Sequence, residues 1–380
     1  MQELEIFHEA VLNPHSVALE MKSKGKKIIG YLCSYAPEEL IYAAEFHPMR
    51  LFSSKTEINL AESHLQAYCC SLVRGILEDS LSGKLDFLDG TVFPHTCDSI
   101  QRLSDIWRIK GKYEFFADVI MPAKLNTKSA RDYMKDVLEK FKTDLEKASG
   151  QQITQSDLKE SITKFNLIKN NLKRLYDLKS QNPEIINGAD LHAIIKGSMM
   201  MDRDQLVELL PVVVSNLSNA NKKEKPSLKQ SKRLLLSGST CDSPDIFNII
   251  EQAGGTVVGD DLCTGQRWFD GEIPVGEAPL GEEPMDALTT RYCDRIVCPA
   301  KHSSIAARGE NIARLAKKTK ADGVIFMLLK FCDPHGFDYP YLKEFLDKEG
   351  IKNILIEIDD HSLNYGQLST RLETFIHMIG

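Results

Sequence analysis

Short apolar runs and helical patterns alternate in the first and last parts of the chain. Strand patterns occur early at 26–32, 49–52, 88–94 and 113–121, with amphipathic segments between them. The alternation returns later, with strands predicted at 233–238, 256–261, 295–300, 323–331 and 353–359. Strands that alternate with helices favour a parallel sheet with helices on both faces.

The middle of the chain has a different pattern. Residues 126–222 carry long helical patterns with many charged positions, which are typical of the solvated face of a helix bundle. A polar, basic stretch at 218–231 follows and is typical of a linker. We therefore predict an α/β protein with two doubly wound parallel-sheet domains, at 1–125 and 223–380, joined by a helical segment at 126–222.

Size and composition set broad limits on the class of protein. A chain of 380 residues allows two or three domains, and 42% hydrophobic with 27% charged residues is typical of a globular protein. The net charge of −7 argues against a general nucleic-acid binder. The segment at 1–27 lacks the apolar core of a secretory signal, and no apolar run of about 18 residues predicts a membrane span. We expect a cytoplasmic protein.

The nine cysteines are the chemically informative feature. Cytoplasmic cysteines rarely form disulfides, and the lack of C-x-x-C pairs argues against a zinc ribbon or a thioredoxin-like site. Four lie at or just after the end of a predicted strand: Cys33, Cys97, Cys263 and Cys332. Ligands bind at that edge of an open parallel sheet, so these thiols are expected to share a crevice. Nearby helix N-termini favour the thiolate, which is the form that binds iron.

The remaining cysteines are placed less directly. Cys69 and Cys70 fall within a predicted helix, where adjacent residues point in different directions, so one of the pair is expected to face the crevice. Cys241 and Cys293 are interpreted as buried structural residues. Cys298 is left open between a structural role and a role in the crevice.

Five ordered segments carry a resemblance to a known family. They lie at 30–52 (GYLCSYAPEELIYAAEFHPMRLF), 61–75 (AESHLQAYCCSLVRG), 85–108 (LDFLDGTVFPHTCDSIQRLSDIWR), 254–271 (GGTVVGDDLCTGQRWFDG) and 329–351 (LKFCDPHGFDYPYLKEFLDKEGI). Together they resemble the 2-hydroxyacyl-CoA dehydratase family, which also contains the cluster-bearing subunits of ATP-dependent benzoyl-CoA reductase. The third and fifth segments are more similar to the benzoyl-CoA reductase branch.

The resemblance implies a [4Fe–4S] cluster held by three cysteines, which match Cys70, Cys97 and Cys332, with one iron left open. The implied function is that of an iron–sulfur subunit in a low-potential reductase of acyl-CoA thioesters, or in a 2-hydroxyacyl-CoA dehydratase. In this family a separate iron–sulfur activator hydrolyses ATP, and this chain contains no G-x-x-x-x-G-K-[ST] phosphate loop. The implied partner is a second copy of the chain or a related subunit.

Other interpretations of the same residues stay open. A related branch, the double-cubane cluster proteins, holds an [8Fe–9S] cluster with six cysteines and reduces small molecules. Additional ligand candidates for that cluster are Cys33, Cys69, Cys263 and Cys298. His95 and His335, near Cys97 and Cys332, are candidate proton donors or hydrogen-bond partners of cluster sulfur, and ordinary loop histidines are the alternative. A non-catalytic partner subunit and a metal-free thiol enzyme are the remaining hypotheses.

Overall fold

Two parallel sheets form the framework of the chain, whose computed structural model describes residues 2–54, 57–111, 113–221, 231–274, 283–295, 298–301, 305–359 and 365–379. The strands of the first sheet are β1 (Ile28–Tyr31), β2 (His47–Arg50), β3 (Gly90–Pro94) and β4 (Phe115–Val119). Those of the second sheet are β5 (Lys232–Gly238), β6 (Gly255–Asp261), β7 (Gly323–Leu329) and β8 (Asn353–Ile358). Every residue of β1, β3, β6 and β7 is buried, as expected for strands covered on both faces.

The two sheets have the same strand order. Neighbouring strands follow the order β2-β1-β3-β4 in the first sheet and β6-β5-β7-β8 in the second, and all pairs are parallel. In the first sheet β2 lies on one side of β1, and β3 and β4 lie on the other side. In the second sheet β6 lies on one side of β5, and β7 and β8 lie on the other side. This creates a switch point between β1 and β3, and another between β5 and β7. The predicted α/β class with two doubly wound sheets is confirmed.

Helices cover the sheets and connect them. We name the parts of the chain by the predicted division, in which the first α/β region has α1 (Gln2–Leu12), α2 (Pro14–Ser23), α3 (Glu38–Ala43), α4 (Ser71–Leu81) and α5 (Asp98–Lys110). Of these helices, α1 packs mainly against the helix Gly188–Ser198. The helical segment contains α6 (Lys128–Ser149), α7 (Gln155–Gln181), α8 (Gly188–Ser198) and α9 (Arg203–Asn221). The second α/β region contains α10 (Pro244–Gln252), α11 (Gln266–Phe269), α12 (Pro284–Asp294), α13 (Ile305–Thr319), α14 (Asp333–Lys348) and α15 (Tyr365–Met378). None of the described helices has the length and apolarity needed to cross a bilayer.

Some local predictions differ from the structure. The strand expected at 295–300 is not formed by the described part of that range, where Cys298 has irregular backbone and 299–300 form a turn; 296–297 lie outside the described residues. An apolar run does not by itself distinguish a strand from a buried loop. The helix expected to contain Cys69 and Cys70 begins only at the next residue, because Cys70 has extended backbone and serves as its N-cap. The predicted linker at 218–231 begins inside α9, and 222–230 lie outside the described residues.

The helical segment packs against both α/β regions. Helix α7 lies against α3 of the first region, and α8 lies against α10 of the second region. Helices α6 and α7 both contact α12. The segment therefore holds the two sheets in a fixed relation.

Buried Glu38 ties the first α/β region to the other two parts. Its carboxylate accepts a hydrogen bond from Arg203 at 3.1 Å and another from the indole N–H of Trp268. The same guanidinium donates to the carbonyl of Pro48 at 2.9 Å. Because Arg203 begins α9 and Trp268 lies in α11, one carboxylate joins the first sheet to the helical segment and to the second region.

The next residue, Glu39, makes a second buried ion pair. Lys169 Nζ lies 2.5 Å from its Oε1, and Arg291 Nη1 lies 3.7 Å from the same atom. Burial would raise the pKa of Glu39, but these two cations outweigh that effect and lower the pKa to about 2. Removing one partner would therefore leave a buried charge without compensation.

Replacing Lys169 with methionine is expected to lower the free energy of unfolding by about 3–5 kcal/mol, because the Glu39 carboxylate loses its principal partner. Chemical denaturation followed by circular dichroism measures the change. Lys128→Met is the matched control, since it breaks an exposed pair with Asp132 and should have little effect. Combining Lys169→Met with Glu39→Gln is expected to recover part of the loss. A double variant that is no more stable than Lys169→Met would contradict this account.

Candidate functional site

The carboxyl ends of strands from both sheets meet at one cavity. Its volume is about 90 Å³, which is several times the roughly 10–15 Å³ that one water molecule needs. Its lining combines apolar side chains with thiols from both α/β regions. The lining cysteines are Cys33, Cys70, Cys97, Cys263, Cys298 and Cys332.

Three of these cysteines belong to the first α/β region. Cys33 follows β1 closely and has a left-handed backbone conformation, with φ of 65°. Cys97 follows β3 and is the N-cap residue of α5. Cys70 is the N-cap residue of α4. Since β1 and β3 flank the switch point of the first sheet, Cys33 and Cys97 lie where such sheets bind ligands.

The other three cysteines belong to the second α/β region. Cys332 follows β7 and is the N-cap residue of α14, so it has the same place in its sheet as Cys97 has in the first. Cys263 follows β6. Cys298 comes from irregular backbone after α12. The predicted position of four cysteines just beyond strand ends is therefore present in the structure, and Cys298 joins them from a loop.

The six thiols act on one another electrostatically, and we divide them into two groups of three according to the ligands that the family resemblance implies. Burial raises the pKa of the Cys97 thiol, and the charges of Cys70 and Cys332 raise it further. Burial also raises the pKa of Cys332, with Cys70 again as the strongest neighbouring charge. We call Cys70, Cys97 and Cys332 the first thiol group.

Cys33, Cys263 and Cys298 form the second thiol group. A hydrogen bond from Cys298 to Cys263 lowers the pKa of Cys263 and raises the pKa of Cys298. The charge of Cys33 also acts on Cys298. The two groups adjoin each other, because Cys33 acts on Cys97 and Cys263 acts on Cys332.

Buried cations lie beside the second thiol group. Arg267 Nη2 donates to Cys263 Sγ at 3.2 Å, and Arg50 donates to the carbonyl of Cys263 at 2.7 Å. Lys301 donates to the carbonyl of Met121 at 2.9 Å; burial lowers its pKa, and nearby thiolate charges oppose that effect. Cations at these places favour thiolates over thiols and offset negative charge in the cavity.

His335 lines the cavity, whereas His95 lies outside its lining. Within the described part of the chain, the buried His335 Nε2 and Thr240 Oγ1 have no hydrogen-bond partner. Burial lowers the pKa of His335 to about 4, against the opposing effect of a hydrogen bond with Cys263. The His335 ring is therefore neutral near pH 7. His95 instead places Nε2 2.8 Å from Asp118 Oδ1.

The remaining three cysteines do not line the cavity. Cys69 is buried with its Sγ 4.0 Å from Gln66 Oε1, so of the adjacent pair the structure brings Cys70 to the cavity. Cys241 and Cys293 are buried elsewhere, which agrees with a structural role.

The donor set fits a cluster of several metal atoms better than a single ion. Among the described residues, no three His, Cys, Asp or Glu side chains converge as one metal ion requires. Six thiols instead surround a cavity, and three of them cap helix N-termini, where the helix dipole favours the thiolate. The unpartnered atoms of His335 and Thr240 belong to residues that line this cavity. An iron–sulfur cluster bridges several thiolates and accepts hydrogen bonds at sulfur, so the residues fit it.

The sequence reasoning missed the cations around the thiols. Arg267 lies four residues after Cys263, and Lys301 lies three residues after Cys298. A basic residue that closely follows a candidate thiol was an available signal. It was weak because lysine and arginine together number 47 in this chain, so many such spacings arise without function.

Gly238 allows β5 to approach β7 where the second sheet opens onto the cavity. A Cβ at Gly238 would lie 1.8 Å from the carbonyl oxygen of Met327. Gly238→Ala is therefore expected to lower the free energy of unfolding by about 1–3 kcal/mol, because the backbone must move to make room for the methyl group. Gly336→Ala is the control: a Cβ there meets no atom within 4 Å, and alanine within a helix stabilises by roughly 0.5–1 kcal/mol. Thermal unfolding compares the two, and an unchanged melting temperature for Gly238→Ala would refute the steric argument.

Comparison with known proteins identifies the family of the chain. A family model described as "2-hydroxyglutaryl-CoA dehydratase, D-component" matches residues 33–379. The chain is 30% identical to the (R)-phenyllactyl-CoA dehydratase beta subunit of Clostridium sporogenes, over 97% of this chain and 96% of that protein.

Two further relatives agree with this match. Identity is 25% to the beta subunit of (R)-2-hydroxyglutaryl-CoA dehydratase of Acidaminococcus fermentans, over 98% and 97% of the two chains. Identity is 26% to one of the subunits of benzoyl-CoA reductase of Thauera aromatica, over 93% and 91%. The predicted resemblance to dehydratase and benzoyl-CoA reductase enzymes is confirmed, and the chain belongs to the 2-hydroxyglutaryl-CoA dehydratase D-component family.

Proposed function

We propose that the chain is an iron–sulfur subunit of a low-potential reductase and that its cavity holds an [8Fe–9S] double-cubane cluster. The observation that carries this proposal is the presence of six cysteines around one cavity. When bound, such a cluster supplies single electrons at low potential. The six thiolates would hold such a cluster, three for each of its cubes.

The first thiol group supplies the ligands that the family resemblance implies for a single cube. Cys70, Cys97 and Cys332 each occupy the N-cap position of a helix, whose positive end offsets part of the cost of ionising these buried thiols when iron binds. The second thiol group supplies the additional ligands Cys33, Cys263 and Cys298. Its thiolates are stabilised by side-chain cations, of which Arg267 makes a direct contact.

The cavity lining controls the surroundings of the bound group. Leu32, Leu51, Val73 and Ile100 are buried and line the cavity together with the thiols. These side chains exclude water, and hydrogen bonds and charges are stronger in such dry surroundings. Exclusion of water also limits side reactions with the solvent.

His335 is the side chain best placed to handle a proton at the cavity. Its Nε2 is buried and free of protein partners within the described residues, and its ring lies beside Cys263. His95 acts less directly, because its imidazole is paired with Asp118. The backbone carbonyl of His95 lies 3.4 Å from Lys301 Nζ, so His95 helps to position the Lys301 ammonium group and is not expected to contact the substrate.

A second candidate function is a subunit with one [4Fe–4S] cluster that acts on acyl-CoA thioesters. The relatives favour it, since they are named as a phenyllactyl-CoA dehydratase, a 2-hydroxyglutaryl-CoA dehydratase and a benzoyl-CoA reductase. In that case the first thiol group binds the cluster, and the second thiol group remains free of iron. The 2-hydroxyacyl-CoA dehydratase reaction belongs to this candidate.

The proposed partners follow from the same relatives. Each of them is named as one subunit of an enzyme, so we propose a dimer with a related subunit or with a second copy of this chain. A separate iron–sulfur activator would hydrolyse ATP. The proposed location is the cytoplasm, with no role for nucleic acid or membrane.

Iron and acid-labile sulfide content of anaerobically purified protein tests the cluster type. The double-cubane proposal expects about eight iron atoms per chain, as two four-iron cubes. Cys33→Ala, Cys263→Ala and Cys298→Ala should each remove about half of the iron or more. Cys69→Ala is the matched control and should leave the content unchanged, because its thiol lies off the cavity.

The single-cluster candidate makes a different set of expectations. About four iron atoms per chain would be found, and the three alanine variants of the second thiol group would retain them. Only Cys70→Ala, Cys97→Ala and Cys332→Ala would then lose iron. Metal-free protein after anaerobic reconstitution would refute both proposals and favour a scaffold or a thiol enzyme.

Replacing His335 with glutamine is expected to lower turnover by roughly 10²–10⁴-fold, which is the usual contribution of a positioned acid–base group, while iron content stays unchanged. The wild-type protein is first tested anaerobically, with a chemical reductant, on an alkyne, phenyllactyl-CoA and benzoyl-CoA. Turnover of the variants is then measured with the substrate that the wild-type protein converts. His95→Gln is the control and should retain most of the activity. Equal losses in both variants would argue against a specific role for His335.

A further inference from the structure

Arg267 is a buried cation whose contacts converge on the second thiol group. Its side chain is almost completely excluded from solvent, at 1% exposure. Nη2 donates to Cys263 Sγ at 3.2 Å and to the carbonyl of Ser239 at 3.4 Å, and it also donates to the carbonyl of Gly238. The guanidinium is thereby fixed between the end of β5 and the turn that carries Cys263.

Several interactions hold Arg267 in this position. The Asp261 carboxylate, at the end of β6, lies 3.5 Å from Nη1. Arg295 donates to the backbone carbonyl of Arg267, and the Arg295 guanidinium lies over the ring of Tyr35 at 4.7 Å. The Arg267 side chain is thus pre-positioned by the fold before anything enters the cavity.

The pairing with Asp261 does not use all the donors of this buried guanidinium. Arg267 Nε and Nη1 have no hydrogen-bond partner among the described residues, and an unpaired buried donor costs free energy. The same Asp261 carboxylate is also approached by Arg308, at 3.7 Å. Arg308 is itself paired with Asp338 at 2.7 Å, so the charges of the two arginines and two aspartates balance. What remains beside Cys263, within the described part of the chain, are unpaired N–H donors of the Arg267 guanidinium, which suit an anionic group bound through that sulfur.

We propose that Arg267 is a positioning residue that donates a hydrogen bond to the cluster-bound sulfur of Cys263 and raises the reduction potential of the cluster. This rests on the proposed function, because it requires Cys263 to be a ligand. Reduction adds negative charge to a cluster, so a nearby cation and an N–H···S hydrogen bond stabilise the reduced form more than the oxidised form. The Arg267 side chain would then determine how readily the part of the cluster held by the second thiol group accepts an electron.

The test is a potentiometric titration followed by electron paramagnetic resonance, on whole anaerobic protein with its iron content measured in parallel. Arg267→Met is expected to keep its iron and to show a more negative midpoint potential than wild type. Arg267→Lys keeps the positive charge but loses the paired N–H donors of the guanidinium. The midpoint potential of this variant should therefore lie between those of wild type and Arg267→Met. Arg233→Lys is the control: Arg233 lies at the start of β5, away from the cavity lining, and donates to the backbone carbonyls of Ser180 and Thr319, so the potential of this variant should not move.

The outcomes separate this inference from the proposed function. If Cys263→Ala lowers the iron content but both Arg267 variants keep iron and the wild-type potential, the role of Arg267 is overturned and the proposed function stands. Loss of iron from both Arg267 variants would also overturn a tuning role, because a residue that only tunes leaves the cluster bound. If Cys263→Ala keeps the full iron content and potential, the proposed double cubane itself fails, and the inference fails with it.

Discussion

The buried ion pairs of Glu38 and Glu39 determine how the parts of this chain sit together. Both carboxylates lie in the short helix α3 of the first region, yet their partners come from α7, α9, α11 and α12. Charges buried to this degree tolerate little displacement, since moving any partner leaves an uncompensated charge in dry surroundings. The two sheets are consequently held in one relative orientation. The cavity exists only in that orientation, because its lining comes from both.

The equal strand order of the two sheets explains why the cavity collects thiols. Each sheet has a switch point at its carboxyl edge, and the arrangement turns both switch points toward the same space. Cys97 and Cys332 occupy corresponding places, each after the strand beyond the switch point and each capping the following helix. Two crevices that would separately bind small ligands are thereby combined into one site large enough for a multi-atom group.

The sequence was sufficient for the parts of this structure that depend on local patterns. Alternating strands and helices predicted the two sheets, and strand-end positions predicted that Cys33, Cys97, Cys263 and Cys332 would meet. It was not sufficient where the outcome depends on cap geometry or on distant contacts. Cys70 faces the cavity because it caps α4 and does not lie within the helix, a distinction of one residue in a helix boundary.

Long-range contacts were outside the reach of sequence reasoning for a different reason. Cys298 reaches the cavity on irregular backbone, where no periodicity marks it. Lys301 and Arg267 acquire meaning only when folding brings them to the thiols. Nothing in the sequence around Glu38 and Glu39 indicates their partners, which lie more than a hundred residues away along the chain.

The membership of the two thiol groups means that the proposed cluster would contribute to the stability of the whole chain. The first group takes Cys70 and Cys97 from the first region and Cys332 from the second. The second group takes only Cys33 from the first region, with Cys263 and Cys298 from the second. Each region contributes three cysteines to the cavity, but each thiol group draws on both regions, so a cluster held as proposed would connect the two regions. A ligand that binds only the assembled state stabilises that state. The Glu38 and Glu39 ion pairs position the interface between the two regions, and the proposed cluster, once bound, would reinforce the same interface.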